Sequence, residues 1–138
     1  MIGIVVASHG HFAEELVATA RQIVGELEGV VTSSVEPSMS GDELKQQIKD
    51  AVRSVDSGQG VIVFADLIGG SPCMQSLSLC QQNHMEVITG VNLPMLIKAN
   101  SLRKTELTLH DLALQLTDYG RRNITCASEA LRAKSSAA

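Results

Sequence analysis

His9, Asp66 and the run Gly69-Gly70-Ser71-Pro72 are the residues of this chain whose types and spacing suit chemistry. A histidine ring becomes a nucleophile when a carboxylate accepts the proton of one ring nitrogen and leaves the other nitrogen bare. This is the orienting role that an aspartate plays toward a triad histidine. The same carboxylate steadies the ring once its free nitrogen is substituted and the imidazole turns cationic. Glycines allow a backbone to approach a ligand closely, and the start of a helix offers unpaired N–H groups to an anion. The Ser71 hydroxyl adds one donor. A nucleophilic histidine, an orienting aspartate and an anion cradle together suit a phosphoryl group resting on histidine. The pattern G-x-x-x-x-G-K-[ST] is missing, so the sequence shows no standard nucleotide-phosphate loop. A phosphorylated protein is therefore the expected donor. Each feature alone has an ordinary explanation, since histidines end strands, aspartates cap turns and Gly-Gly-Ser-Pro opens helices. Their weight comes from falling together.

That convergence depends on the elements. Residues 2–10 form an apolar run that reads as a strand buried on both faces, with His9 at its tip. Phe12, Leu16, Ala20, Ile23 and Val24 recur at helical spacing after it. Residues 30–35 are β-branched and predict a second strand. Ser40 with Glu43 three positions on is a capping box, and Leu44, Ile48, Ala51, Val52 and Val55 mark one face of the helix behind it. Residues 61–65 form a central strand ending in Asp66. Ser71 suits a helix N-cap and Pro72 the first helical position, for a helix reaching about residue 82. Residues 86–90 predict a fourth strand, 95–99 a short helical piece, and Thr108 to Asp111 the capped start of a helix through Leu112, Leu116 and Tyr119. Residues 123–127 read as a short final strand, and 134–138 as a frayed tail.

Strands and helices thus alternate, which favours parallel strands joined by crossover helices. The expected fold is α/β, an open doubly wound, mostly parallel sheet. In a 2-1-3-4 order His9 and Asp66 both open onto the crevice at the carboxyl ends of the strands. The 138 residues accommodate one domain, taken as residues 1–132 with a short disordered tail at 133–138.

Composition narrows the function classes. Aromatic content is 2%, so the core relies on aliphatic residues. A net charge of −4 without a basic run argues against a nucleic-acid partner. No apolar stretch is long enough to span a membrane and no signal-peptide layout opens the chain, so a cytoplasmic location is expected. Three cysteines without a CxxC indicate neither a disulfide framework nor a zinc site, and read as small buried apolar residues.

Three motifs in order carry a resemblance. Ser8-His9-Gly10, then Asp66-Leu67-Ile68-Gly69-Gly70-Ser71-Pro72, then Thr89-Gly90-Val91-Asn92-Leu93-Pro94-Met95-Leu96 look like the enzyme IIA domain of the mannose family of the bacterial phosphotransferase system. The match runs over nearly the whole chain. It implies a 2-1-3-4 sheet, and a homodimer in which an extra antiparallel strand is exchanged between subunits. It implies that His9 accepts a phosphoryl group from HPr and passes it to a histidine of enzyme IIB, upstream of the membrane components IIC and IID. Asp66 would hold the ring, with Gly69, Gly70 and Ser71 around the phosphate. Neither a metal nor any other cofactor is implied. No IIB sequence follows, so a separate IIB protein is the expected acceptor. The chain departs from the family at Cys73-Met74, where members often carry Phe-Asn.

Other readings compete. An isolated IIA-like domain also suits a regulatory role without transport. Small tetrapyrrole metal chelatases share a His-Gly after the first strand but need a second histidine facing it, and only His84 is loosely suited. Histidine phosphatases want arginines around the phosphate, whereas Ser8 occupies the expected position. Among the remaining polar residues, His11 reads as an exposed neighbour of the site. His84 and His110 read as surface residues. Asn92 and Pro94 are expected to shape the pocket or a partner surface. Arg103, Lys104, Arg121 and Arg122 read as a solvated face or a surface for an acidic partner.

Overall fold

A computed structural model of the chain describes residues 1–137. In chain order its elements are β1 (Gly3–His9), α1 (Phe12–Val24), β2 (Val30–Val35), α2 (Gly41–Val55), β3 (Val61–Ala65), α3 (Ser71–Leu79), β4 (Met85–Thr89), α4 (Leu93–Leu102), α5 (Leu109–Arg122) and α6 (Ala127–Ala137). The four strands form one parallel sheet in the order β2-β1-β3-β4, as expected.

Alternation along the strands divides the core in two. Ile4, Val6, Ile62, Phe64 and Ile88 face α1, α4 and α5, whereas Val5, Ala7, Val61 and Val63 face α2 and α3. Every residue of β3 is buried, which is why its sequence is apolar without interruption. Burying each large side chain there stabilises the fold by about 1.5–3 kcal/mol.

The predicted capping box of α2 forms in full. Ser40 Oγ accepts the Glu43 N–H at 3.1 Å, and the Glu43 carboxylate accepts the Ser40 N–H at 3.4 Å. Thr108 likewise caps α5 by accepting the Asp111 N–H at 3.1 Å.

Several expectations are corrected. The N-cap of α3 is Gly70, and Ser71 is already its first helical residue. This helix stops at Leu79 rather than 82, because Cys80 and Gln82 donate to carbonyls only three residues back and Asn83 Nδ2 takes the Leu79 carbonyl. The helical piece at 95–99 is the centre of the longer α4, which Asn92 caps by accepting the Met95 N–H at 3.0 Å. Residues 123–127 do not form a strand: 124–126 have no regular structure, and Ala127 opens α6. Of the cysteines Cys73 is buried as expected, but Cys126 is exposed. Arg103, expected at the surface, is buried.

Candidate active site

The register that sets β1 beside β3 pairs Ala7 with Ala65, so the last residue of β1 and the residue just beyond β3 come out at one edge of the sheet. His9 and Asp66 meet there. Asp66 Oδ2 lies 2.8 Å from His9 Nδ1 and accepts the His9 backbone N–H at 2.9 Å. One carboxylate oxygen therefore fixes both the ring and the main chain of the same residue.

A carboxylate only accepts, so Nδ1 carries the proton, and in the neutral ring Nε2 holds the free lone pair. Burial favours the protonated carboxyl of Asp66 and is the largest single influence on it. The backbone and ring hydrogen bonds from His9, with the attraction between the two groups, outweigh burial and hold Asp66 below the ordinary carboxylate value. The aspartate side chain is 16% exposed while the histidine side chain is 51% exposed, so the anchor is sheltered and the nucleophile is open. Asp66 Oδ1 is buried and has no donor among the described residues.

The local chain explains why His9 stops where it does. Ser8 is fully buried, and its Oγ accepts the Ala13 N–H at 2.8 Å while donating to the His9 carbonyl at 3.1 Å. The His11 side chain, at the N-cap of α1, makes no capping bond, so Ser8 does that work from within the strand. Between them Gly10 turns the chain with φ +53°, in the left-handed region that glycine tolerates best. Ser8 is a positioning residue that the sequence reading passed over.

On the other side, Gly69 makes the turn after Asp66 with φ +81°, and Gly70 brings the start of α3 against the ring. No side chain caps α3 and no acidic residue occupies its first turn. Ser71 and Cys73 N–H groups thus have no partner within the helix, and Pro72 has no N–H to leave unpaired. Ser71 and His9 line one groove of about 340 Å³, walled by Val35 at the end of β2, by Pro37 and Met39 from the segment after it and by His11. That segment was not singled out from the sequence, because its residues carry no distinctive chemistry.

His9, Asp66, Gly69, Gly70 and Ser71 are thus at one strand-end crevice. Asn92 and Pro94 are not part of the groove. Asn92 instead ties α5 to the start of α4, its Nδ2 donating to the Gly120 carbonyl at 3.0 Å. His84 precedes β4 at the opposite edge of the sheet, where its carbonyl accepts the Val61 N–H. The second histidine that chelatase chemistry requires does not face His9. His110 pairs with Glu86 at 3.0 Å, away from the groove. Among the described residues no group of three His, Cys, Asp or Glu side chains is placed to hold a metal ion, and no helix is long and apolar enough to cross a membrane.

The arrangement supports in-line attack by Nε2 on an electrophile whose negative oxygens rest on the start of α3. Comparison with known proteins identifies the family. The family model described as PTS system fructose IIA component, EIIA-man, matches residues 3–116. The PTS system mannose-specific EIIAB component of Escherichia coli (strain K12) is 32% identical over 134 residues, which is 96% of this chain and 40% of that protein. The chain therefore spans about two fifths of that relative's length. The PTS system fructose-specific EIIA component of Bacillus subtilis is 26% identical across 95% of this chain and 90% of its own length. Among solved structures, the PTS IIA protein associated with the fucose utilization operon of Streptococcus pneumoniae is 32% identical. It superposes with a TM-score of 0.82 over 94% of this chain and 95% of that one. The phosphotransferase system component EIIA of Streptococcus agalactiae superposes with a TM-score of 0.86 at 26% identity, over 94% and 99%. A family match across most of the chain, a shared fold and a histidine at the strand end lead to one conclusion: the chain belongs to the EIIA-man family of phosphotransferase-system IIA components.

Proposed function

We propose that His9 carries a phosphoryl group between two proteins, accepting it from phospho-HPr and giving it to a histidine of a IIB-type partner that serves the membrane components IIC and IID. The observation that carries this reading is the double anchoring of His9 by Asp66 Oδ2, which leaves Nε2 free in an open groove at the start of α3.

The Nε2 lone pair attacks phosphorus while the bond between phosphorus and the donor's ring nitrogen breaks, and that nitrogen keeps the electron pair. The His9 ring is left cationic, with its Nδ1 proton still held by Asp66. Positioning and charge stabilisation supply most of the catalysis in such transfers. The N–H groups of Ser71 and Cys73, with the Ser71 hydroxyl, face the phosphoryl oxygens. The second transfer runs the same way, His9 now being the leaving group.

Two protein partners need a common landing surface. Phe12, Leu67, Ile68 and Met74 are 46%, 59%, 77% and 52% exposed on the segments next to His9 and Asp66, an apolar rim suited to protein docking.

The active form is a homodimer on this reading. The outer edge of β4 is unpaired in the four-stranded sheet, and a groove of about 270 Å³ beside it is lined by Val87, Ile88, Thr89 and Ile124. Segment 123–127 of a second copy fits that edge as an exchanged antiparallel strand.

Transfer is tested by incubating the chain with labelled phosphoenolpyruvate, enzyme I and HPr. Acid-labile label should appear on the parent protein and vanish in His9→Ala. Equal labelling of the two would refute the role of His9.

A further inference from the structure

A cavity of about 550 Å³, larger than the groove at His9, lies at the opposite edge of the sheet. Ile2, Gln59 and His84 reach it from the segments preceding β1, β3 and β4, and Thr105 and Leu109 from the approach to α5. Arg103 lines it and is only 4% exposed. Its Nη1 donates to the Ile2 carbonyl at 3.2 Å, and its Nη2 donates to the Glu28 carbonyl and, at 3.2 Å, to Asn100 Oδ1. All three acceptors are neutral.

Among the described residues no carboxylate lies within ion-pair distance of this guanidinium. Its Nε–H is buried without an acceptor. A buried charge normally has a counter-ion, because desolvating it alone is costly. Burial accordingly weakens the hold of Arg103 on its proton, an effect the charge of Glu28 partly offsets. The 14-residue α5 begins at the same cavity, but Thr108 caps it and Asp111 in its first turn already answers the helix dipole. The positive charge facing the cavity is therefore that of Arg103. The one acidic residue in the lining, Glu106, stands on the exposed rim.

We propose that this cavity binds a small oxyanion, the carboxylate or phosphate group of a compact metabolite, with Arg103 as its counter-charge. The site is separate from His9 and does not depend on phosphoryl transfer there. Gln59 and Thr105 supply neutral donors and acceptors, and Ile2, Leu107 and Leu109 give the ligand an apolar wall.

The test is a pair of titrations followed by amide NMR, one with sodium phosphate and one with sodium acetate, each against sodium chloride at equal ionic strength. The expected result is saturable shifts at Gln59, His84, Thr105 and Leu109 in at least one titration. Saturation by phosphate alone identifies a phosphoryl-bearing ligand, and saturation by acetate a carboxylate. Phosphate shifts at Ser71 report the His9 groove and are scored apart. Arg103→Met should abolish the response. Because that buried residue also supports the fold, Thr105→Trp, which plugs the mouth from an exposed position, should abolish it as well. No saturable shift with either anion overturns the proposal, as does saturation that survives Thr105→Trp.

Discussion

Gly70 stands against the edge of the His9 imidazole: a Cβ at residue 70 would lie 2.9 Å from Cε1 and 3.6 Å from Nε2. The backbone there is ordinary, with φ −71° and ψ 162°, so conformation alone does not demand glycine. Proximity to the ring does.

Gly70→Ala is therefore expected to separate function from stability. Alanine lowers the entropy of the unfolded chain, worth about 0.4–1 kcal/mol, and gives back a similar amount as a poorer N-cap. Urea denaturation should place its midpoint close to that of the parent. The methyl group must push the ring off its Asp66 anchor or into the space meant for phosphorus. Phosphorylation by HPr should fall at least about tenfold, the equivalent of 1.4 kcal/mol in the barrier. A variant labelled at the parental rate shows that the close approach is incidental.

Asp66→Asn tests the charge without the shape. Oδ2 holds both His9 hydrogen bonds and Oδ1 holds none, so an asparagine can keep its oxygen at the first position and put its amide nitrogen at the second. Ring orientation should survive while stabilisation of the cationic ring is lost. A hydrogen bond to a charged group is worth about 1.5–3 kcal/mol, which predicts transfer slowed roughly 10- to 100-fold. Rapid-quench measurement of label transfer from phospho-HPr decides it, and an unchanged rate argues that Asp66 only shapes the turn.

The same carboxylate links stability to pH. Its folded-state value lies below the ordinary 3.8, so the folded protein binds protons there less readily than the unfolded chain. The stabilisation is fully present above about pH 4 and is lost as pH falls through the depressed folded value. The stability gap between the parent and Asp66→Asn should be present at about pH 5 and close as the pH falls below about 4. Denaturant midpoints from about pH 5 to about pH 2.5 measure the gap, and a gap that widens below about pH 4 contradicts the sign.

Ser8→Ala should cost stability although Ser8 touches no reacting atom. It leaves the Ala13 N–H without its buried acceptor, at a cost of about 1–3 kcal/mol. Denaturation in urea gives the number directly. A loss below about 0.5 kcal/mol, typical of a neutral surface change, indicates that another group takes over the cap.

Much of this site could be read from the chain because local signals and global order agree. β2 and β3 begin and end where the β-branched run 30–35 and the apolar run 61–65 do, and the His9 and Asp66 edge follows once β1 and β3 are neighbours. Residues whose role depends on distant parts of the fold were harder to read. Arg103 looks like a surface cation until the fold encloses it and it bonds Ile2 from 101 positions away. Ser8, on a strand read as buried, shows its capping role only once Ala13 folds back onto its hydroxyl. The start of α3 shifted by one residue, because Gly and Ser both suit an N-cap and only packing against His9 selects Gly70. Cys126 is of a residue type common in cores, but it follows α5 in an irregular stretch and is exposed.

Among the described residues α6 packs on no other element of its own chain. Ile124 and Leu131, flanking and within it, are 76% and 67% exposed. An 11-residue helix is marginal in water without tertiary support, and two large aliphatic side chains left in solvent forgo about 1.5–3 kcal/mol each. A second copy resolves both problems if residues 123–127 extend along the free edge of its β4 and α6 follows onto its surface. Strand exchange of this kind satisfies backbone groups that the four-stranded sheet leaves open. The parent should sediment at twice 14.7 kDa at micromolar concentration, and β4 amides that do not bond β3 should be protected from hydrogen exchange. Ile124→Asp buries a charge in that interface and should shift the protein toward monomer, deprotecting the same amides. A monomeric parent with fast-exchanging β4 edge amides would show that the edge stays open, and that the exchanged strand implied by the family resemblance is not used by this chain.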